Sequence, residues 1–153
     1  MRVVRAHAPG VVLAATDFSD TSLPAVEAGR AEADRLGVGF LILHAVEVRV
    51  LALEAPDSVS SRMMTRLLES EIESSKSRLE QLRKQYAADD TILSVGSPAE
   101  AILEEAARLR ASWIIVGTHG RSGFQRLTLG SVAESVLRRA PCSMLIVRLG
   151  TVR

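Results

Sequence analysis

A glycine-rich stretch in the second half of the chain holds the residue types best suited to bind a charged ligand. Residues 117–131 read GTHGRSGFQRLTLGS, with two residues between Gly117 and Gly120 and nine between Gly120 and Gly130. Glycine lets the backbone adopt positive φ and approach a ligand closely. A helix that begins after Gly130 would add free N–H groups and the positive end of its dipole. This combination is suited to hold an anion, such as a phosphate group.

Several side chains of the same stretch could assist an anionic ligand. Ser131 supplies a hydroxyl donor, Arg121 and Arg126 supply positive charge, and His119 could contact phosphates or shuttle a proton. The stretch lacks the GxxxxGKS/T pattern of a P-loop, and no compact GxGxxG turn follows the first apolar run. A surface connector is the alternative interpretation, because Ser131 and Glu134 also match a helix capping box. Glycine content alone leaves the two interpretations open.

Continuous apolar runs alternate with helical patterns along the chain. Such runs are typical of strands that helices cover on both faces of a parallel sheet. The predicted strands are VVLAAT at 11–16, FLILHAV at 40–46, TILSV at 91–95, WIIV at 113–116 and SMLIV at 143–147. The run at 91–95 is the weakest of these, so we expect it nearer an edge of the sheet.

Four helices are predicted between these strands. The first is outlined by apolar residues from Leu23 onward and ends at Gly37, and the second covers about residues 58–86. The third begins with SPAE at 97–100 and the fourth with SVAE at 131–134. Both of these openings match a capping box, in which a glutamate reaches back to the start of its helix.

The order of these elements, βαβαβαβαβ, predicts one α/β domain over residues 1–153. Strands that alternate with helices form an open, doubly wound parallel sheet with right-handed crossovers and helices on both faces. Ligands of such sheets bind at the carboxyl ends of the strands, where the strand order reverses. In this chain the corresponding places are TDFSD, HAVEV and the glycine-rich stretch, which follow the first, second and fourth strands.

Two polar residues fall at these strand ends. Asp17 fits an Asx-turn or helix cap, and it is also placed to accept a hydrogen bond from a ribose hydroxyl or an adenine amino group. His44 lies within a strand and is interpreted as a hydrogen-bonded core residue. Residues 47–58 are long for a strand-to-helix connection, and a surface flap is one interpretation of them. No carboxylate pair or Ser/His/Asp arrangement indicates a catalytic residue.

The overall composition argues against several classes of function. The formal net charge of +1 provides no field that favours nucleic acid or a membrane surface. No apolar run approaches the roughly 18 residues that span a bilayer. The N-terminal MRVVRAHAPG lacks the apolar centre of a signal peptide, so a cytoplasmic location is expected. The one cysteine and three histidines lack metal-ligand spacing, so no metal site made of side chains is expected.

Taken together, the motifs closely resemble the universal stress protein family over nearly the whole chain. The resemblance rests on ATDFSD, LHAVEV, GSPAEAILEEA, IIVGTHGRSG and LGSVAESVLRRAPCSMLIVR. It implies a five-stranded sheet in the order 3-2-1-4-5. ATP-binding members of the family carry a glycine, two residues, a glycine, nine residues, and a glycine followed by serine or threonine. Gly117, Gly120, Gly130 and Ser131 fit this pattern without a gap.

The resemblance also implies how ATP would be held. Asp17 and the backbone around Val46 would contact adenine, and Val116 and Gly117 would lie near the ribose. The residues that would face the phosphates, where Mg²⁺ or Mn²⁺ accompanies ATP, are Gly120, Gly130, Ser131 and Val132. The complete set of expected cofactor-binding residues is Ala15, Thr16, Asp17, Val46, Val116, Gly117, His119, Gly120, Arg121, Gly130, Ser131 and Val132.

The function implied by this resemblance is a nucleotide-responsive regulator in the stress response, with at most weak ATP hydrolysis. Homodimerisation through residues 143–148 is also implied, and an apolar edge strand is a natural pairing surface. Two alternatives stay open: a slow ATPase or nucleotide-transfer enzyme, and a nucleotide-free dimeric interaction module. The sequence departs from the family at Ser112, where aspartate is common, and at Ala133, where some ATP-binding relatives carry a hydroxyl.

Overall fold

A five-stranded parallel sheet organises the part of the chain that the structure, a computed structural model, describes: residues 10–47, 59–118 and 129–148. The strand order is β3-β2-β1-β4-β5, as the resemblance implied. The elements, in chain order, are β1 Val11–Ala15, α1 Leu23–Leu36, β2 Gly39–Val46, α2 Val59–Gln85, β3 Asp90–Val95, α3 Pro98–Arg108, β4 Trp113–Gly117, α4 Ser131–Arg139 and β5 Ser143–Val147.

Two apolar cores lie on opposite faces of this sheet because successive strand residues point in opposite directions. Val12 and Ala14 of β1 pack with buried residues of α1 and α2, such as Val26. Leu13, between them, packs in the other cluster with residues of α3 and α4, such as Ile102. The predicted α/β fold, with helices on both faces, is confirmed.

The central strands are the most apolar, and for this reason the continuous apolar runs in the sequence predict their positions. The interior residues of β1 and β4 are buried on both faces, and β2 is buried along nearly its whole length. By contrast, β3 is half-buried or exposed and lies at one edge of the sheet, as its weaker run predicted. The strand order reverses between β1 and β4, so a crevice opens at their carboxyl ends.

The sequence correctly predicts the end of α1 and the N-cap of α3, but neither predicted capping box forms. Gly37 ends α1 in the left-handed conformation, with φ of 67°, as predicted. Ser97 is the N-cap of α3, as predicted, but its side chain makes no capping hydrogen bond, and the Glu100 carboxylate pairs with Arg139 at 2.7 Å instead. This hydrogen bond from the arginine lowers the pKa of Glu100.

The second incorrect capping box concerns the start of α4. Gly130 is the N-cap and Ser131 is the first helical residue, so the predicted cap is displaced by one position. Glu134, the expected partner, pairs with Arg138 at 2.6 Å instead. The Ser131 side chain is therefore not the N-cap group of its own helix.

No helix in the described ranges is both long enough and apolar enough to cross a bilayer.

A close approach between α1 and the sheet gives the first testable prediction. A Cβ added at Gly29 would lie 2.6 Å from Cε2 of Phe40 and 3.0 Å from Cβ of Ala14. Phe40 is fully buried and cannot move aside at low cost. We expect Gly29→Ala to lower the free energy of unfolding by about 1–3 kcal/mol, although alanine favours helices by about 1 kcal/mol.

Urea unfolding followed by circular dichroism measures this change. The exposed Ala31→Gly variant, on the same helix, is the control and should lose only about 1 kcal/mol of helix propensity. A Gly29→Ala protein more stable than the parent would contradict the close packing.

Candidate functional site

A cavity of about 600 Å³ opens at the carboxyl edge of the sheet, where the strand order reverses. Its volume lies within the range of small-molecule sites. Ala15, Thr16 and Asp17 line it from the end of β1, and Leu43 to Glu47 line it from β2. Further lining residues come from later elements: Glu71, Pro98, Ile102, Gly117, Thr118, Gly130, Ser131, Val132 and Ala133.

The structure brings together most of the residues that the sequence proposed for a cofactor site. Those that line the cavity are Ala15, Thr16, Asp17, Val46, Gly117, Gly130, Ser131 and Val132. Val116 is buried in β4 and is not among the lining residues. His119, Gly120 and Arg121 lie outside the described residues, as does most of the proposed flap at 47–58. The role of each residue in binding stays a prediction.

Several lining residues were not identified from the sequence. Glu71 comes from the middle of α2, and nothing in its local spacing marks it as part of a site. Pro98 and Ile102 belong to α3, for which the sequence predicted only a helix that begins at SPAE. Glu47 follows β2 directly and lies within HAVEV, a strand end that the sequence indicated, although the residue itself was not singled out.

A chain of three hydroxyl-mediated hydrogen bonds shapes the turn after β1. Ser22 Oγ donates to the carbonyl of Ser19 at 2.9 Å, so its own oxygen is left to accept from Thr16 Oγ1 at 2.8 Å. Thr16 Oγ1 in turn accepts from the N–H of Phe18 at 2.9 Å. Because Thr16 is 6% exposed and Ser22 4%, these buried groups need their partners within the protein.

Asp17 forms the Asx-turn that the sequence suggested, and its role toward a ligand stays a prediction. Its Oδ1 accepts a hydrogen bond from the N–H of Ser19 at 3.0 Å, and this bond defines an Asx-turn. The same oxygen also accepts from the Ser19 hydroxyl. The same carboxylate lines the cavity. The turn thus fixes the direction in which an acceptor is presented to a ligand.

His44 is a hydrogen-bonded core residue, as predicted, and it also contributes to the cavity wall. Its ring is 4% exposed, and Nδ1 lies 2.8 Å from the carbonyl oxygen of Thr16. The ring of Phe18 stacks against it with the two centroids 4.1 Å apart. These contacts hold β2 and the turn after β1 together at the cavity.

The start of α4 forms another wall of the cavity. Gly130 donates its N–H to the carbonyl of Thr118 at 2.8 Å, and the first helical bond is from Glu134 N–H to Gly130. The preceding N–H groups of a helix have no acceptor within it. Here they belong to Ser131, Val132 and Ala133, which all line the cavity. Together with the helix dipole they favour an anion at this end.

The charges around the cavity are unevenly distributed. The carboxylates line it near β1, β2 and α2 and belong to Asp17, Glu47 and Glu71. The positive end of the α4 dipole approaches it from the β4 side. Across the described ranges, no cluster of three or more histidine, cysteine, aspartate or glutamate side chains could hold a metal ion. The arrangement suits a ligand with hydrogen-bond donors at one end and negative charge at the other.

The family of the chain follows from comparison with known proteins. The family described as the Universal stress protein family matches residues 10–148. A universal stress protein of Thermus aquaticus, named for the 3′ region of a QAH/OAS sulfhydrylase, is 34% identical over 143 residues, covering 90% of this chain and 97% of the relative. The chain belongs to the universal stress protein family.

Solved structures of universal stress proteins share the fold described above. That of UspA from Lactobacillus plantarum matches with a TM-score of 0.81 at 23% identity, covering 92% of this chain and 98% of the other. A universal stress protein in complex with cAMP matches with a TM-score of 0.60 at 28% identity, covering 94% and 99%.

The two departures from the usual universal stress protein sequence differ in where they fall. Ser112 precedes β4 at the amino end of the sheet, where its N–H donates to Val11 at 2.8 Å, and it is not among the lining residues. Ala133 does line the cavity, so a hydroxyl that some relatives carry at this position is absent from the cavity wall.

The hydroxyl chain after β1 leads to the second testable prediction. Thr16→Val keeps the shape of the side chain but leaves the N–H of Phe18 without its acceptor. We expect the free energy of unfolding to fall by about 1–3 kcal/mol, because a buried donor would be unsatisfied. Thr65→Val on the exposed side of α2 is the matched control, with little change expected. Equal urea midpoints for the two variants would count against the hydroxyl chain.

Proposed function

We propose that this chain binds ATP in the cavity at the carboxyl edge of the sheet and acts as a nucleotide-responsive, cytoplasmic regulator in the stress response. The observation that carries the proposal is the polarity of the cavity, with Asp17 near one end and the start of α4 at the other. The complex of a family member with cAMP supports an adenine nucleotide as the ligand. We treat residues 1–153 as one nucleotide-binding domain.

In this proposal each part of the nucleotide meets a different group of residues. The Asp17 carboxylate accepts from the adenine amino group, and Val46 lies beside the base. Val116 and Gly117 lie near the ribose. The residues assigned to the phosphates are Gly120, Gly130, Ser131 and Val132, with Arg121 and His119 beside them. An anion at the start of α4 would satisfy N–H groups that the helix leaves without partners.

A divalent ion, Mg²⁺ or Mn²⁺, would be held chiefly by the phosphates. No cluster of potential metal ligands exists within the described ranges, so these side chains offer no independent site. The ion's contribution when bound is to neutralise phosphate charge. The protein's own contribution is the orientation of the nucleotide between the turn after β1 and the start of α4.

A regulatory role fits the cavity better than hydrolysis. Asp17 and His44, two titratable groups of the cavity wall, have structural partners, since Asp17 accepts from Ser19 and His44 Nδ1 lies against the Thr16 carbonyl. These contacts give both groups a structural role in the turn after β1. Slow hydrolysis or nucleotide transfer, and a nucleotide-free interaction module, are separate outcomes of the test below.

A charge placed at the start of α4 provides the sharpest test of phosphate binding. Glutamate at position 131 suits the positive end of the helix dipole, so Ser131→Glu should fold at least as stably as the parent. The added carboxylate would repel phosphates, and we expect ATP affinity to fall at least about tenfold. Ser77→Glu, an exposed serine of α2 outside the cavity, adds the same charge as a control.

Isothermal titration with ATP, and extraction of nucleotide from the purified protein, provide the measurements. ATP in the extract, and weakened binding by Ser131→Glu alone, support the proposal. Equal binding by both variants, or none by the parent, would contradict it. Accumulation of ADP during storage would favour the ATPase, and a nucleotide-free dimer on native mass spectrometry the interaction module.

The proposed homodimer rests on the edge strand β5. Within the described part of the chain β5 pairs with β4 and lies at the edge of the sheet, and Leu145 is 39% exposed. An apolar edge strand favours pairing with a second copy. We expect the parent to be a dimer and Leu145→Arg a monomer by light scattering after size exclusion.

Leu67→Arg introduces the same side chain at an exposed leucine of α2, which packs on β2 and β3 near the opposite edge, and should remain dimeric. A monomeric parent, or dissociation by both variants, would refute the assignment of β5.

A further inference from the structure

The backbone of Phe18 adopts a conformation that is unusual for an aromatic residue. Its φ is 63°, in the left-handed region, which is sterically costly for side chains other than glycine. Such a conformation persists only where surrounding contacts determine it. At Phe18 the N–H donates a hydrogen bond to the Thr16 hydroxyl, and the side-chain ring packs against the ring of His44.

Arg78 of α2 makes two further contacts with the same residue. Its guanidinium carbon lies 4.2 Å from the centroid of the Phe18 ring, which is a cation–π arrangement. Its Nη2 also donates to the carbonyl oxygen of Phe18 at 3.2 Å. Phe18 is 9% exposed, and its ring contacts both His44 and the arginine from a helix sixty residues further along.

The hydrogen bond from Arg78 acts on the same peptide unit that Asp17 uses. The carbonyl of Phe18 and the N–H of Ser19 belong to one rigid peptide plane. Arg78 binds the carbonyl end of this plane, and Oδ1 of Asp17 accepts from its N–H end at 3.0 Å. Rotation of the plane would therefore break both bonds and remove one of the two Ser19 donors that orient the Asp17 carboxylate.

We infer that Arg78 is a positioning residue for base recognition: it holds the Phe18–Ser19 peptide, and through it Asp17, in the orientation that selects adenine. The inference rests on the proposed function, because it assigns Asp17 to the base. Arg78 itself is not among the residues that line the cavity, so it acts through the turn rather than on the ligand. Base selectivity then depends on the docking of α2 against the turn after β1.

Arg78→Met tests this inference, because methionine keeps an unbranched apolar stem but has neither charge nor donor. Amide hydrogen exchange in the absence of nucleotide measures the protection of the turn directly, and we expect exchange at the Ser19 N–H to accelerate about tenfold. Calorimetric titration measures the effect on base selectivity. Affinity for ATP should fall more than affinity for GTP, so that the ratio of the two affinities drops at least about fivefold. Unchanged exchange at Ile115, in the core of β4, would show that the fold is retained.

Two further variants serve as controls. Arg66→Met makes the same substitution at an exposed arginine of α2 and should leave both measurements unchanged. Arg78→Lys keeps a cation near the ring and should recover part of the protection at Ser19.

The outcomes separate the inference from the proposed function. Unchanged exchange at Ser19 in Arg78→Met, or an unchanged ATP-to-GTP ratio in a protein that binds ATP, would overturn the inference. A parent protein that binds no adenine nucleotide, while Arg78→Met still accelerates exchange, would overturn the proposed function and leave the contact between α2 and the turn established.

Discussion

The reversal of strand order between β1 and β4 is the constraint on which the site depends. Because β2 lies on one side of β1 and β4 on the other, the chain leaves the two central strands in opposite directions across the sheet. Neither crossover connection covers the space at the carboxyl ends of β1 and β4, so a crevice remains there. The turn after β1 and the start of α4 meet there, so one topological feature determines where acceptors and donors can face each other.

Polar groups around the cavity have a structural as well as a binding role. The Thr16 hydroxyl donates to Ser22, and the Ser22 hydroxyl donates to the carbonyl of Ser19. Asp17 accepts from the N–H of Ser19 in the same turn. Such networks specify one backbone arrangement, since a partial network would leave buried groups without partners. The acceptor side of the cavity is therefore rigid before any ligand arrives. The start of α4 is fixed less by side chains than by backbone bonds of Gly130.

Sequence reasoning located the elements well because their signals are local. Buried parallel strands read as continuous apolar runs, and Gly37 ends α1 through its own φ. The order of the strands came from the family resemblance rather than from periodicity. Neither capping box forms: Glu100 pairs with the distant Arg139, and Glu134 pairs with Arg138, one helical turn away. Glu71 and Arg78 reach the site region from α2 by tertiary packing, and no local pattern could show that.

The contacts that build the cavity join residues far apart in the chain, such as His44 with Thr16 and Thr118 with Val147. No short fragment can therefore contain the site, and it disappears when the chain unfolds. A ligand that binds here binds the folded state alone, and at a hundredfold excess over its Kd it would add about 2.7 kcal/mol to stability. Occupancy of the cavity and resistance of the chain to heat are thus thermodynamically linked.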